Sequence, residues 1–157
     1  MKAMAMHLLV ALVWLFLSGN TTLGGFIMGM LAGFVLLATF KRALKCETYV
    51  RRLWAGGIFV LHFLKDVCTT NFKLVCLTLS PSASSAKGKF VTYDVSDLSR
   101  LETVILAQCL SMTPGTMVAE LTDESKLVLH TFPATSEEEL KVQIDTSLKR
   151  HLLAFTR

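Results

Sequence analysis

Apolar residues dominate the first forty positions in two runs, roughly Ala3–Leu17 and Leu23–Phe40, separated by the polar stretch Ser18-Gly19-Asn20-Thr21-Thr22. No Asp, Glu, Lys or Arg occurs between Lys2 and Lys41. A bilayer core about 30 Å thick takes roughly 17–25 apolar helical residues. The second run meets that length, and the first sits at or just under its lower limit. Helices satisfy their own backbone groups in lipid, so the pattern predicts a membrane hairpin with helices over about 3–18 and 23–40. Lys2 before a short apolar run imitates a signal peptide. A second apolar run follows at once, however, and Ser18-Gly19-Asn20 makes a poor cleavage site, so the segment is expected to be retained.

The pattern then becomes amphipathic. Leu53, Gly57, Val60, Leu64, Val67, Cys68, Phe72, Val75 and Leu79 recur at helical spacing, and His62, Asp66, Thr69, Thr70 and Lys73 form the opposite stripe. This predicts an amphipathic helix over 53–79. The favoured reading lays it in the membrane interface with the polar stripe in water; the alternative is a crossing within a larger assembly, with the stripe buried against partners. A Pro/Ser/Gly-rich linker at 81–88 closes this membrane region of residues 1–80.

Residues 89–157 change character. Lys89–Val95 reads as a strand with Val91, Tyr93 and Val95 on one face. Ser99-x-x-Glu102 forms a capping box opening a helix along Leu101, Ile105, Cys109 and Met112. Met117–Leu121 and Lys126–Phe132 read as strands joined by Thr122-Asp123-Glu124-Ser125. Ser136-x-x-Glu139 starts a last helix with the apolar face Leu140, Ile144, Leu148, Leu152 and Phe155. The order β-α-β-β-α predicts a small α+β domain near the lower size limit for an independent core.

Charge sharpens the topology. The formal net charge is +4 over 157 residues, but residues 1–80 hold 8 basic against 2 acidic side chains and residues 81–157 hold 8 against 10. The basic excess therefore belongs to the membrane half and does not imply a nucleic-acid partner. Lys41, Arg42, Lys45, Arg51 and Arg52 crowd the stretch after the second run, which places that loop, and the C-terminal domain with it, in the cytoplasm. Cys46, Cys68, Cys76 and Cys109 lack metal or disulfide spacing, and nucleotide-loop patterns are absent. No cofactor, metal site or enzymatic chemistry is expected.

Three groups of residues stand out. Gly25, Gly29 and Gly33 place a double G-x-x-x-G on one helix face, suited to close backbone approach. The motif does not say whether the approaching helix is the first one or a partner's. Thr113-Pro114-Gly115-Thr116 reads as a tight helix-to-strand connector. Pro114 ends the helix, Gly115 permits positive φ, and the threonine hydroxyls can bond freed backbone groups. Lys65-Asp66 is the better candidate for modulating an ion path, against a solvated polar face as the simpler account. His7 reads as an interfacial histidine, His62 as part of the polar stripe, and His130 as a partly buried strand residue.

In order along the chain, Leu15-Phe16-Leu17-Ser18-Gly19, the basic loop, Tyr93-Asp94-Val95, Glu102-Thr103-Val104-Ile105-Leu106-Ala107, Thr113-Pro114-Gly115-Thr116 and Leu127-Val128-Leu129-His130 resemble the E-type subunit of the multisubunit Mrp/Mnh-type cation/proton antiporters of bacteria. The resemblance covers nearly the whole chain, most strongly from Tyr93 to His130 and weakly in Pro81–Lys89 and the last helix. It implies a small multi-pass component of the bacterial cytoplasmic membrane, with lipid and other antiporter subunits as partners, in a complex exchanging Na+ or K+ for protons. Its role would be accessory, supporting assembly and activity of larger ion-translocating subunits, with no catalytic residue to carry over. The alternative is a stand-alone membrane-anchored sensor whose α+β domain binds a ligand.

Overall fold

The computed structural model describes residues 2–80, 87–134 and 136–157. Most of the expected 81–88 linker lies outside them. The chain is mostly helical with one small antiparallel sheet, and it divides into two compact units, Met1–Trp54 and Ala55–Arg157.

In the first unit, helices α1 (Lys2–Ser18) and α2 (Leu23–Thr39) form an antiparallel pair. The turn is built from side chains. Gly19 takes φ +62°, and Asn20 Oδ1 accepts from the Thr22 hydroxyl at 2.6 Å and from its N–H at 3.2 Å. Thr22 Oγ1 then caps α2 by accepting from Gly25 N–H. Ala11, Gly25, Gly29, Gly33 and Leu37 are buried between the helices and their surroundings, while Phe16, Leu17 and Val35 on the outside remain exposed. At 17 residues, each helix is about 25 Å long. Among the described residues no helix is long and apolar enough to cross a membrane, although both helices keep the expected bounds to within one residue. α2 stops at Thr39, with Phe40 outside helical geometry.

Helix α3 (Glu47–Leu79) begins six residues before the expected Leu53 and runs through the division between the units. Glu47 in its first turn suits the positive end of the helix dipole. Arg51 and Arg52 are thereby helical rather than part of a loop. In the first unit, Cys46 and Val50 pack on Leu37, with Phe34, Ala38 and Tyr49 around them. The Phe34 and Trp54 rings stack at 6.4 Å.

The second unit is a two-layer α/β arrangement. Strands β1 (Lys89–Asp94), β2 (Thr116–Leu121) and β3 (Lys126–Thr131) lie in the order β1-β3-β2, all antiparallel, with a bulge in β2 between Val118 and Glu120. Val91, Tyr93, Leu127 and Leu129 face α4 (Arg100–Met112) and the C-terminal helical run, giving a core completed by Leu106, Leu110, Leu140, Ile144, Leu148 and Leu152. That run comprises α5 (Glu137–Gln143), a π-helical stretch Ile144–Lys149 and α6 (Arg150–Thr156). Its apolar residues recur every fourth position and would drift around an ideal helix of about 3.6 residues per turn. The wider π turn brings the stripe back toward the sheet. Phe155, expected on this face, is 37% exposed and its ring lies against Gly56 of α3.

Two faces differ from the sequence expectation. On α4 the buried residues are Glu102, Thr103, Leu106, Cys109 and Leu110, whereas Leu101 and Met112 are exposed. Glu102 explains the rotation. Its carboxylate accepts from Ser99 N–H, completing the capping box, and also from the Thr156 hydroxyl at 2.6 Å and the Arg157 guanidinium at 3.2 Å. On α3, Phe59 and Phe63 pack on the domain core, while Val60, Leu64, Phe72 and Val75 of the expected apolar stripe are exposed. The aromatic pair lies beside Gly56, where a methyl group would come within 3.0 Å of the Phe155 ring.

Two outcomes follow from this packing. A side chain at Gly29 would meet the Ala11 backbone at 2.9 Å, whereas one at Gly24 meets only ordinary contact at 3.7 Å. Gly29→Leu should therefore destabilise the detergent-solubilised chain by about 2 kcal/mol and lower its thermal midpoint, with Gly24→Leu close to wild type. Equal midpoints would remove the close-approach role. The Arg157 guanidinium, with Thr156 and Ser99, holds the Glu102 carboxyl below the ordinary carboxylate range, to about 2. Its stabilisation is complete above about pH 4.3, the unfolded value, and is lost as pH falls toward 2. Glu102→Gln should lower protection of α4 amides in hydrogen exchange at neutral pH and flatten their loss of protection between those two pH values. An unchanged acid profile would show that another carboxylate governs it.

Candidate functional site

The glycine face of α2 is occupied by the chain itself. A methyl at Gly25 would run into the Asn20 carbonyl oxygen, one at Gly29 would meet Ala11, and one at Gly33 would lie 2.8 Å from His7 Cδ2. The absence of a side chain at Gly33 makes room for the His7 ring, which is 2% exposed. Its Nε2 lies 2.8 Å from the Met30 carbonyl oxygen and its Nδ1 2.8 Å from the Tyr49 hydroxyl. A carbonyl only accepts, so Nε2 carries the proton, and in the neutral ring Nδ1 accepts from Tyr49. Tyr49 carries no signal in the sequence for this role, because it lies 42 positions away.

In the second unit the Thr113–Thr116 connector joins α4 to β2. Thr113 is extended (φ −84°, ψ 118°), the geometry proline imposes on its predecessor, and Gly115 takes φ +88°. Thr113 Oγ1 donates to the Cys109 carbonyl at 2.9 Å, and Thr116 Oγ1 to those of Leu110 at 2.6 Å and Thr113 at 3.0 Å. The Gly115 carbonyl accepts from Phe132 N–H at 2.7 Å. A methyl at Gly115 would run into the Phe132 carbonyl oxygen, so both space and φ select glycine.

Asp66 faces this connector. Together with Thr113, Thr116, Gln143 and Ser147 it lines a cavity of about 20 Å³. A more open cavity of about 440 Å³, bordered by Thr70 and Lys73 of α3, shares Thr113, Thr116 and Gln143 with it. Lys65 is exposed and does not line either cavity; neighbours on a helix point about 100° apart. Gln143 and Ser147 were not evident from the sequence. Their i,i+4 spacing beside the stripe Leu140–Ile144 is the signal that could have found them.

The remaining histidines are also placed. His62 stacks on His151 with ring centroids 4.0 Å apart. His130 lies on the outer sheet face between Phe90 and Met117, its ring 5.0 Å from that of Phe90. On the inner face the Tyr93 hydroxyl donates to Asp145 Oδ1 at 2.5 Å. Burial, then this bond, pushes the phenol above its ordinary range. Cys46 and Cys109 are buried thiols, Cys68 and Cys76 exposed ones. Among the described residues no three His, Cys, Asp or Glu side chains gather as a metal cluster.

The model of the Na+/H+ ion antiporter subunit family (MNHE) matches residues 7–155. The chain is 28% identical over 145 residues to the E1 subunit of the Na+/H+ antiporter of Staphylococcus epidermidis, covering 92% of this chain and 91% of that one. It is 26% identical over 153 residues to the E-type subunit of the Na+/H+ antiporter of Alkalihalophilus pseudofirmus, covering 97% and 96%. A chain of the membrane-bound sulfane sulfur reductase, an archaeal respiratory membrane complex, shares the fold at a TM-score of 0.54 and 15% identity, over 96% of both chains. With nearly its whole length matched, this chain belongs to the Na+/H+ ion antiporter subunit family.

Proposed function

We propose that the chain is the E-type accessory subunit of a multisubunit Na+/H+ antiporter in the bacterial cytoplasmic membrane. It braces larger ion-translocating subunits and is a transporter component rather than an enzyme. The family match over residues 7–155 carries this reading. Two features of the chain support it. The outer faces of α1 and α2, with Phe16 and Leu17 more than 80% exposed, and the Val60–Leu64–Phe72–Val75 stripe of α3 are apolar surfaces of the kind covered by lipid or by neighbouring subunits. The glycine face is used within the chain, so these outer surfaces, not the glycines, are the ones offered to partners.

The α1–α2 hairpin inserts from the cytoplasmic side, its short helices matched by local thinning of the bilayer or by neighbouring spans. Lys41, Arg42, Lys45, Arg51 and Arg52 hold the connecting segment at the cytoplasmic surface. The amphipathic α3 then lies at that surface and carries the α+β domain in the cytoplasm.

Purifying the tagged chain in mild detergent from its native membrane tests the role. Co-isolation of several larger multi-span subunits is expected. Recovery alone as a small monodisperse species would overturn the subunit reading and favour the ligand-sensor alternative. In intact cells stripped of their wall, a tag after Arg157 should resist an impermeant protease until the membrane is lysed; cleavage before lysis would place the domain outside.

A further inference from the structure

An open cavity of about 500 Å³, within the size range of small-molecule sites, lies where α2 gives way to α3. Lys41, Arg42, Glu47, Thr48, Arg51 and Trp54 line it, and all of them belong to the first unit. Arg42 Nε lies 3.9 Å from Glu47 Oε1, beyond hydrogen-bond reach but close enough to offset that carboxylate. Lys41 and Arg51 are exposed and form no ion pair with any described residue. Two cationic heads are thus left at one cavity without a counter-charge.

The rest of the lining narrows what carries that counter-charge. Glu47 and Thr48 open α3, so the positive end of that helix's dipole lies at the cavity. Cys46, just before it, directs its thiol to the Leu37 carbonyl at 3.7 Å rather than to the first α3 amides. Trp54 supplies an apolar wall. Its ring is exposed and stacks on Phe34 of α2, so the wall continues onto the hairpin. Phe40 and Leu44, in the turn that carries Lys41 and Arg42, are exposed as well. A free phosphate or an acidic peptide would use the charges and leave these apolar surfaces in water. A phospholipid covers both.

We propose that this cavity binds the headgroup phosphate of an anionic phospholipid in the cytoplasmic leaflet, with Arg51 and Lys41 on its oxygens and Trp54 against the glycerol and first acyl carbons. Arginine presents a planar fork to phosphate and lysine a point charge. Tryptophan sets an apolar body and one N–H donor at headgroup level. A zwitterionic headgroup would bring its own ammonium up to the two cations, so the cavity selects against it. A diffuse basic surface attracts anionic lipid without holding one molecule; a basic pocket holds it. The site rests on the membrane hairpin proposed above.

The test titrates the full chain, purified in neutral detergent, with phosphatidylglycerol, phosphatidylcholine or inorganic phosphate, reading the thermal midpoint and the lipid retained in native mass spectrometry. The midpoint should rise saturably with phosphatidylglycerol, as for any ligand that binds only the folded state, and little with the other two. Arg51→Gln and Lys41→Gln should each weaken apparent affinity about tenfold or more, the scale of a charged hydrogen bond. Lys45→Gln removes the same charge from the same stretch but outside the cavity, and should weaken it much less. Equal losses in all three variants would reveal a diffuse basic surface and overturn the site. An equal response to the two lipids, or to phosphate and phosphatidylglycerol, would overturn it as well. Absent lipid selectivity, with Arg51→Gln instead reducing co-isolation of larger subunits, would assign the cavity to an acidic partner segment and overturn the lipid site. Alkaline carbonate washing of native membranes separates this proposal from the hairpin. Release of the chain would overturn both, whereas retention without lipid selectivity would overturn the site alone.

Discussion

Glu102 gathers donors from three residues in two distant parts of the chain. It receives the Ser99 N–H at the start of α4, the Thr156 hydroxyl in the last helical turn and the Arg157 guanidinium after it. Charge-assisted bonds of this kind are short and about twice as strong as neutral ones. Burying the carboxylate also means that losing a donor costs more than an exposed pair would. The carboxylate sets the rotation of α4 about its axis and ties it to the end of the C-terminal run. Leu106 and Leu110 then meet the sheet, and Leu140, Ile144, Leu148 and Leu152 close over the same core. The inner cavity lies between this assembly and α3, so its walls inherit their positions from that anchor.

Helix α3 belongs to both units and presents different surfaces in each. Its first turns pack through Val50 on Leu37. Farther along, Phe59 and Phe63 join the domain core and Asp66 turns toward the connector. The remaining apolar stripe is exposed. A helix with one face used inside the chain and a second apolar face outside suits a component whose work is to hold others in place. Basic residues crowd the stretch just before this helix and its first turns.

Much of the second unit was legible locally. The alternation Val91, Tyr93, Val95 marks the inner face of β1, and all three are buried. The Ser99 and Ser136 caps carry their signals within three residues. Pro114 and Gly115 announce a break and a positive φ, because both act through their own backbone. The α4 face was misread because Leu101, Val104 and Met112 make the outer side as apolar as the inner one. Periodicity then cannot choose, and a polar residue, Glu102, decides. On α3 the same ambiguity hid the aromatic pair that docks on the domain.

The sequence by itself determined the element order, the apolar N-terminal pair of helices, the charge asymmetry and the turn chemistry, since each rests on residues within a few positions of one another. Only the tertiary structure decided that His7 is buried against Gly33 and bonded to Tyr49, that Gly29 receives α1 of the same chain, and that Asp66 meets Thr113, Thr116, Gln143 and Ser147. Those groups are separated by tens of residues. Their meeting depends on how the helices rotate and pack, and local propensity does not encode that.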